Sequence, residues 1–140
     1  MRCAIILTCL LASCSTWVPA WASVDCRARV PGNCPSAEQV QDVFFGMADL
    51  EPALDPAPPI EVTWVDPTVF WVDSGLEASG YTVDEQHMTV SSCHVMLHER
   101  WHAHFFQKTG DGDANHAKSP GPWHSETDEA IEKAKPLCNW

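Results

Sequence analysis

The feature that most constrains this chain is a motif of two histidines and a glutamate, His98-Glu99-Arg100-Trp101-His102. Residues four apart lie on one face of an α-helix, so the two imidazoles can bind one metal ion while Glu99 stands beside them. Two neutral imidazoles and a third protein ligand leave Zn²⁺ an open position for water, whose pKa falls to about 7. Glu99 would take the proton of that water and pass it to a leaving amine. The motif therefore predicts a zinc hydrolase centre.

The residues around the motif predict the helix that this chemistry requires. Leu97, Trp101 and Phe105 recur at helical spacing, Ser91-Ser92 offers an N-cap, and Gly110 offers a stop. All seven histidines fall between positions 87 and 124, and a helix that merely packs in a core does not explain this clustering.

Length and charge bound the possible partners. A chain of 140 residues suits a single compact domain, and its formal charge is −11. Binding a polyanion needs clustered Lys and Arg, whereas the eight in this chain are scattered. We therefore expect no nucleic-acid partner.

The N-terminus reads as an export signal, because the apolar run over residues 3–12 is too short for a stable membrane anchor. Two cleavage sites compete. Ala20-Trp21-Ala22 fits ordinary secretory cleavage after a signal of residues 1–22. Leu11-Ala12-Ser13-Cys14 resembles the lipobox of bacterial lipoproteins, with a signal of residues 1–13 and a lipid on Cys14. Either way, residues 23–140 form one exported domain, periplasmic or secreted, and membrane contact is expected only through that lipid, as in an outer-membrane lipoprotein.

Four of the seven cysteines lie beyond the leader, and in an oxidising compartment they predict two disulfides. Three pairings are possible. We favour Cys26 with Cys34, which are close in sequence, and Cys93 with Cys138, which ties the C-terminus to the start of the metal-binding helix. Thiolate zinc ligands are the alternative, but the chain has no C-x-x-C pair.

The remaining patterns predict an α+β fold. A capping box at Ser36 and apolar residues at helical spacing predict a helix over residues 36–50, and the prolines that follow predict an extended linker. Short strands are predicted at 60–65, 69–72, 81–83 and 87–90. A second capping box at Ser125 predicts a last helix over residues 126–135, which ends before Pro136.

Strands that lead into an H-E-x-x-H helix, followed by another helix, resemble the zincin metallopeptidases over residues 60–135. The resemblance implies a small zincin-like domain, a Zn²⁺ cofactor, and an edge strand that pairs with an extended peptide or protein substrate. It assigns His98 and His102 as zinc ligands and Glu99 as the general base.

The zincin families differ in the residue that serves as the third zinc ligand. The metzincin pattern needs a histidine where this chain has Lys108, so that family is excluded. SprT-like zincins place a loop histidine some fifteen residues after the second ligand, and His116 follows His102 by fourteen. The gluzincin pattern matches Glu129-Ala130, although Lys133 stands where an acidic residue is often found. We favour His116, with Glu129 second and His124 third.

We do not expect the other polar and aromatic residues near the motif to bind the ion. We expect His94 to face solvent or support a ligand, and His104 to lie too far round the helix to bind the ion. Asp111 and Asp113 either orient His116 or shape the turn. Trp101 and Trp123 are expected in the core.

A function of another class also fits these patterns. The protein could bind or buffer zinc in the periplasm without catalysis, as a soluble protein or a lipoprotein, and the histidine-rich span suits that role. An interaction module or secreted toxin with the same fold is a third possibility. One tight zinc ion favours the enzyme, whereas several weak ions favour the buffer.

Overall fold

The computed structural model of the protein describes residues 22–54, 59–67, 70–71, 77–113, 116 and 121–140. Helices and strands are mixed, which confirms the predicted α+β class. Cys14 and the leader up to residue 21 lie outside the described residues. Ala22, which we placed last in the secretory signal, is the first residue of a strand.

Three α-helices are present in the described part of the chain: α1 (Ala37–Leu50), α2 (Cys93–Thr109) and α3 (Ser125–Ala134). Helix α1 begins with the predicted capping box, in which Ser36 and Gln39 each accept the other's backbone N–H. Helix α2 carries the motif. Its N-cap is Ser92, and it ends at Gly110, whose φ of 73° is the left-handed conformation that glycine adopts most easily.

The main sheet contains β1 (Ala22–Cys26), β2 (Ile60–Trp64), β5 (Gly80–Thr82) and β6 (His87–Val90). Their order in the sheet is β1-β2-β6-β5. Strands β1, β2 and β6 are parallel, and β5 is an antiparallel edge strand beside β6. Helix α2 follows directly from β6 and packs on both β5 and β6. A separate antiparallel pair joins β3 (Phe70–Trp71) and β4 (Glu77–Ala78).

Three details correct the predictions from sequence. Strands β1 and β4 were not foreseen, because each is short and exists through pairing with a partner elsewhere in the chain. Pro52–Leu54 forms a turn of 3₁₀-helix rather than extended chain, closed by a bond from Leu54 N–H to the Glu51 carbonyl. The N-cap of α3 is His124 and not Ser125, whose hydroxyl instead donates to the Glu126 carboxylate.

Two disulfides and a buried arginine join the helices to the rest of the fold. The disulfides are Cys26–Cys34 and Cys93–Cys138, which confirms the favoured pairing. Arg100 is 2% exposed; its guanidinium donates to the Leu54 carbonyl at 2.7 Å and lies over the ring of Phe44 on α1. Burial lowers the pKa of Arg100 to about 10, so the guanidinium is still a cation at neutral pH. Helix α2 is thus held at its start by a covalent bond and at its centre by a buried cation.

The two disulfides are of the kind that persists outside the cytoplasm, in agreement with the predicted export. Among the described residues, no helix has the length and apolar character needed to cross a membrane.

Candidate metal centre

The side chains of His98, His102 and His116 converge on one point. The Nε2 atom of His102 lies 3.0 Å from Nε2 of His98 and 3.1 Å from Nε2 of His116. One nitrogen from each ring can be chosen so that all three lie within 4.8 Å of one another. Three donor atoms so close together could hold a metal ion, and they are the three residues that the sequence favoured.

His98 and His102 meet because α2 places residues four apart on one face, as the motif predicts. A contact from the loop after α2 then orients His102. Its Nδ1–H donates to the carbonyl of Gly112, which leaves the lone pair of Nε2 directed at the other two rings. Gly112 can approach this closely because it has no Cβ; a Cβ there would overlap the ring of Phe106.

The electrostatics of the three rings favour a bound cation. Burial, and then the proximity of His102 and His116, lowers the pKa of His98 to about 4. Burial also lowers the pKa values of His102 and His116. All three imidazoles are therefore neutral at pH 7, with lone pairs available for coordination. A set of neutral imidazoles matches the preference of Zn²⁺ and of several other transition-metal ions, so the residues present fit a metal site.

Glu99 lies on the same helix and faces the edge strand. Its side chain is 5% exposed, and its Oε2 accepts a hydrogen bond from the Thr82 hydroxyl on β5 at 2.7 Å. Burial raises the pKa of Glu99 to about 7, and the bond from Thr82 opposes that rise. A carboxyl group with a pKa close to neutral can both accept and release a proton, which is what a general base and acid requires.

His116 reaches the cluster from the loop and not from a helix. Its φ is 51°, a left-handed value that is uncommon for residues other than glycine. Asp113 has the same conformation, its N–H bonds to the side chain of Asp111, and its carbonyl accepts the N–H of His116. The two aspartates therefore shape the turn that presents His116, which is one of the two roles foreseen for them.

The other predicted residues lie elsewhere. Glu129 and His124, the alternative third ligands, are exposed on or beside α3 and are not part of the three-histidine cluster. His94 is exposed, as predicted. His104 is buried against Trp101 and Phe105 and is likewise outside the cluster.

Sequence reasoning missed two side chains at the centre. Thr82 is seventeen positions before Glu99, and nothing in its local pattern indicates the bond between them. Trp123 packs at the edge of the core, as expected, but its ring also stacks on His116 and lies against His98 and His102. Its position after Pro122 in a loop gave no signal of that contact.

No family model matches the chain, and neither the curated proteins nor the solved structures include a match to it.

Proposed function

We propose that this protein is an exported zinc-dependent metallopeptidase of the zincin type, with its centre at His98, Glu99, His102 and His116. The observation that carries the proposal is the convergence of three imidazoles, two of them on α2, the helix that also carries the buried carboxyl group of Glu99. Three histidines with an open fourth position are a known donor set of catalytic zinc.

In peptide hydrolysis, the metal ion and the Glu99 carboxylate would have separate roles. A Zn²⁺ ion, when bound, supplies Lewis acidity that polarises a carbonyl group and lowers the pKa of water from 15.7 to about 7. Glu99 accepts the proton of the attacking water and delivers it to the nitrogen of the departing amine. The Thr82 hydroxyl holds the Glu99 carboxylate in place and favours its charged form.

A peptide substrate is supported by the edge strand. Strand β5 is the last strand of the main sheet and contributes Thr82, which bonds to Glu99. An extended peptide that paired with the outer edge of β5 would run past the catalytic carboxyl group, and backbone pairing of this kind is a common mode of peptide recognition. Proteins or peptides are therefore the proposed substrate class.

Binding or buffering of zinc without catalysis remains the alternative. All seven histidines are described by the structure, and only three of them form a cluster of possible ligands within the described residues. One cluster corresponds to one ion, whereas a buffer is expected to take up several. The single cluster therefore argues against a buffer that takes up several ions.

The test compares zinc content and peptide hydrolysis in the full exported protein. The wild type should bind one zinc ion and cleave a broad peptide mixture. Glu99→Gln should retain zinc and lose about 10² to 10⁴-fold in rate. Glu85→Gln, which alters an exposed glutamate, is the matched control and should change neither property. A wild-type protein that binds zinc but cleaves nothing would support the non-catalytic alternative, and hydrolysis retained by Glu99→Gln would reject its role as general base.

A further inference from the structure

The indole ring of Trp123 lies against all three imidazoles of the cluster. Its centroid is 3.8 Å from that of His116, with the two rings only 10° from parallel. The corresponding distances to His98 and His102 are both 4.7 Å. Face-to-face contact at this distance restricts the tilt of an imidazole without using either of its nitrogens.

His116 needs such support more than the other two ligands do. His98 and His102 are carried by regular helix, and the second nitrogen of His102 is bonded to the Gly112 carbonyl. His116 is exposed, and its backbone has the uncommon φ of 51°. A ligand on a loop loses more conformational freedom when it binds an ion, so a partner that orders it in advance increases affinity.

Trp123 is itself held in place from α3. Its Nε1–H donates to Oδ1 of Asp128 at 3.1 Å, and Asp128 lies in the first turn of that helix. Helix α3 is fixed in turn by its buried face, which includes Ala130 and Ile131. Contacts therefore run without a break from the core through Asp128 and Trp123 to the ring of His116.

We infer that Trp123 is a positioning residue for the third metal ligand and that Asp128 is its anchor. The stacked indole holds the His116 imidazole where its Nε2 lies 3.1 Å from that of His102. The inference rests on the metal site of the proposed function, but it concerns affinity for the ion and not catalysis. Loss of groups that orient a metal ligand typically costs 10 to 100-fold in metal affinity, which sets the size of the effect to expect.

The experiment measures the zinc affinity of the full protein by competition with a chromophoric chelator. Trp123→Ala should bind zinc about 10 to 100-fold more weakly and release it faster. Trp123→Leu, which keeps apolar bulk at the edge of the core, should be weakened similarly because it lacks a flat ring. Trp123→Phe keeps a ring that can stack and should restore most of the affinity. Trp140→Ala is the control, since Trp140 packs against Trp64 with the two rings tilted by 49° and has no ring contact with the cluster.

The anchor is tested by a pair of substitutions at Asp128. Asp128→Asn keeps an oxygen that accepts the indole N–H but loses a charge that acts on His98 and His116, so the zinc affinity should fall less than in Asp128→Ala. Asp128→Ala removes the acceptor and should weaken the affinity about 10-fold, toward the lower end of the range for such partners. Equal losses in both variants would show that the negative charge matters and not the hydrogen bond, which would contradict the anchoring role.

The outcomes separate this inference from the proposed function. A wild-type protein that binds no zinc would contradict both. Zinc binding by the wild type, together with unchanged affinity in folded Trp123→Ala and Trp123→Leu, would contradict only the positioning role. The positioning role would also be overturned if Trp123→Phe bound zinc as weakly as Trp123→Leu, because ring stacking would then not explain the affinity of the wild type. Circular dichroism of each zinc-free variant establishes that it is folded.

Discussion

The two halves of the candidate metal centre are built in different ways. His98, Glu99 and His102 lie on α2, which is capped at Ser92, tied to the C-terminus through Cys93, and packed on the sheet. The other half is the loop after α2, which supplies His116 on a left-handed residue and Trp123 beside it. The first half derives its geometry from one regular element, and the second from contacts between distant parts of the chain.

This difference shows which part of the site tolerates change. In the helical half, the four-residue spacing alone brings two imidazoles together. In the loop half, two contacts place His116 at the same point: its N–H bonds to the Asp113 carbonyl, and its ring stacks on Trp123. We therefore expect substitutions in the loop to reduce metal affinity by degrees, and substitution of His98 or His102 on α2 to remove the site.

The largest effect on folding is expected from the covalent anchor of the helical half. The Cys93–Cys138 disulfide joins residues 45 positions apart, and the chain-entropy model gives about 4 kcal/mol for a loop of this length. Replacing both residues by serine should lower the free energy of unfolding in urea by about that amount and weaken zinc binding. Cys26–Cys34 spans 8 positions, so its removal should cost about 2.5 kcal/mol and leave zinc affinity unchanged. Equal zinc affinity in both double variants would show that the bridge does not support the site.

The next prediction compares the loss of zinc affinity when a ligand is removed from each half of the site. His102→Ala removes a ligand and also the donor that holds the Gly112 carbonyl, so zinc affinity should fall by well over 100-fold, more than the loss of an orienting partner costs. His116→Ala removes only a ligand, so its zinc affinity should fall less than that of His102→Ala. Isothermal titration with zinc measures both.

The control for the ligand variants is His94→Ala, which changes an exposed histidine one turn earlier on α2 and should bind normally. If His116→Ala binds zinc normally while Glu129→Ala does not, Glu129 is the third ligand and the loop has been assigned the wrong role.

The smallest effect concerns the pH dependence set by β5. Glu99 must be ionised to act as a base, so activity should rise with pH through the carboxyl pKa of about 7. The Thr82 hydroxyl lowers that pKa, and Thr82→Val should therefore move the acid limb of the kcat/KM profile to higher pH. Thr82→Ser keeps the hydroxyl and should keep the profile. If the acid limb of the profile is unchanged in Thr82→Val, a group other than the Thr82 hydroxyl controls the ionisation that the profile reports.

The sequence predicted the parts that depend on local periodicity and chemistry. Helix α2 and its caps follow from the serines before it, the apolar spacing within it and Gly110 after it. The capping box placed α1 correctly, and cysteine spacing identified both disulfides. His116 was favoured through a resemblance in spacing, and it does join the cluster.

Contacts between distant segments could not be predicted in this way. Thr82 meets Glu99 because β5 turns back along β6 beside α2, and no periodicity in residues 80–82 encodes that meeting. The same applies to Trp123, which reaches His116 across the turn, and to β1, which exists only through its pairing with β2. Even at α3, where a capping box was predicted at Ser125, the N-cap is His124 and no side chain caps the helix.

The bridge between Cys93 and Cys138 also has a consequence for biosynthesis. The two cysteines are 45 positions apart, so the cross-link cannot close until both of them and the segment between them have been synthesised and have met an oxidising environment. Until that moment α2 carries the motif without its covalent anchor. The order in which the chain is made therefore places the closing of this bridge after the synthesis of the motif itself.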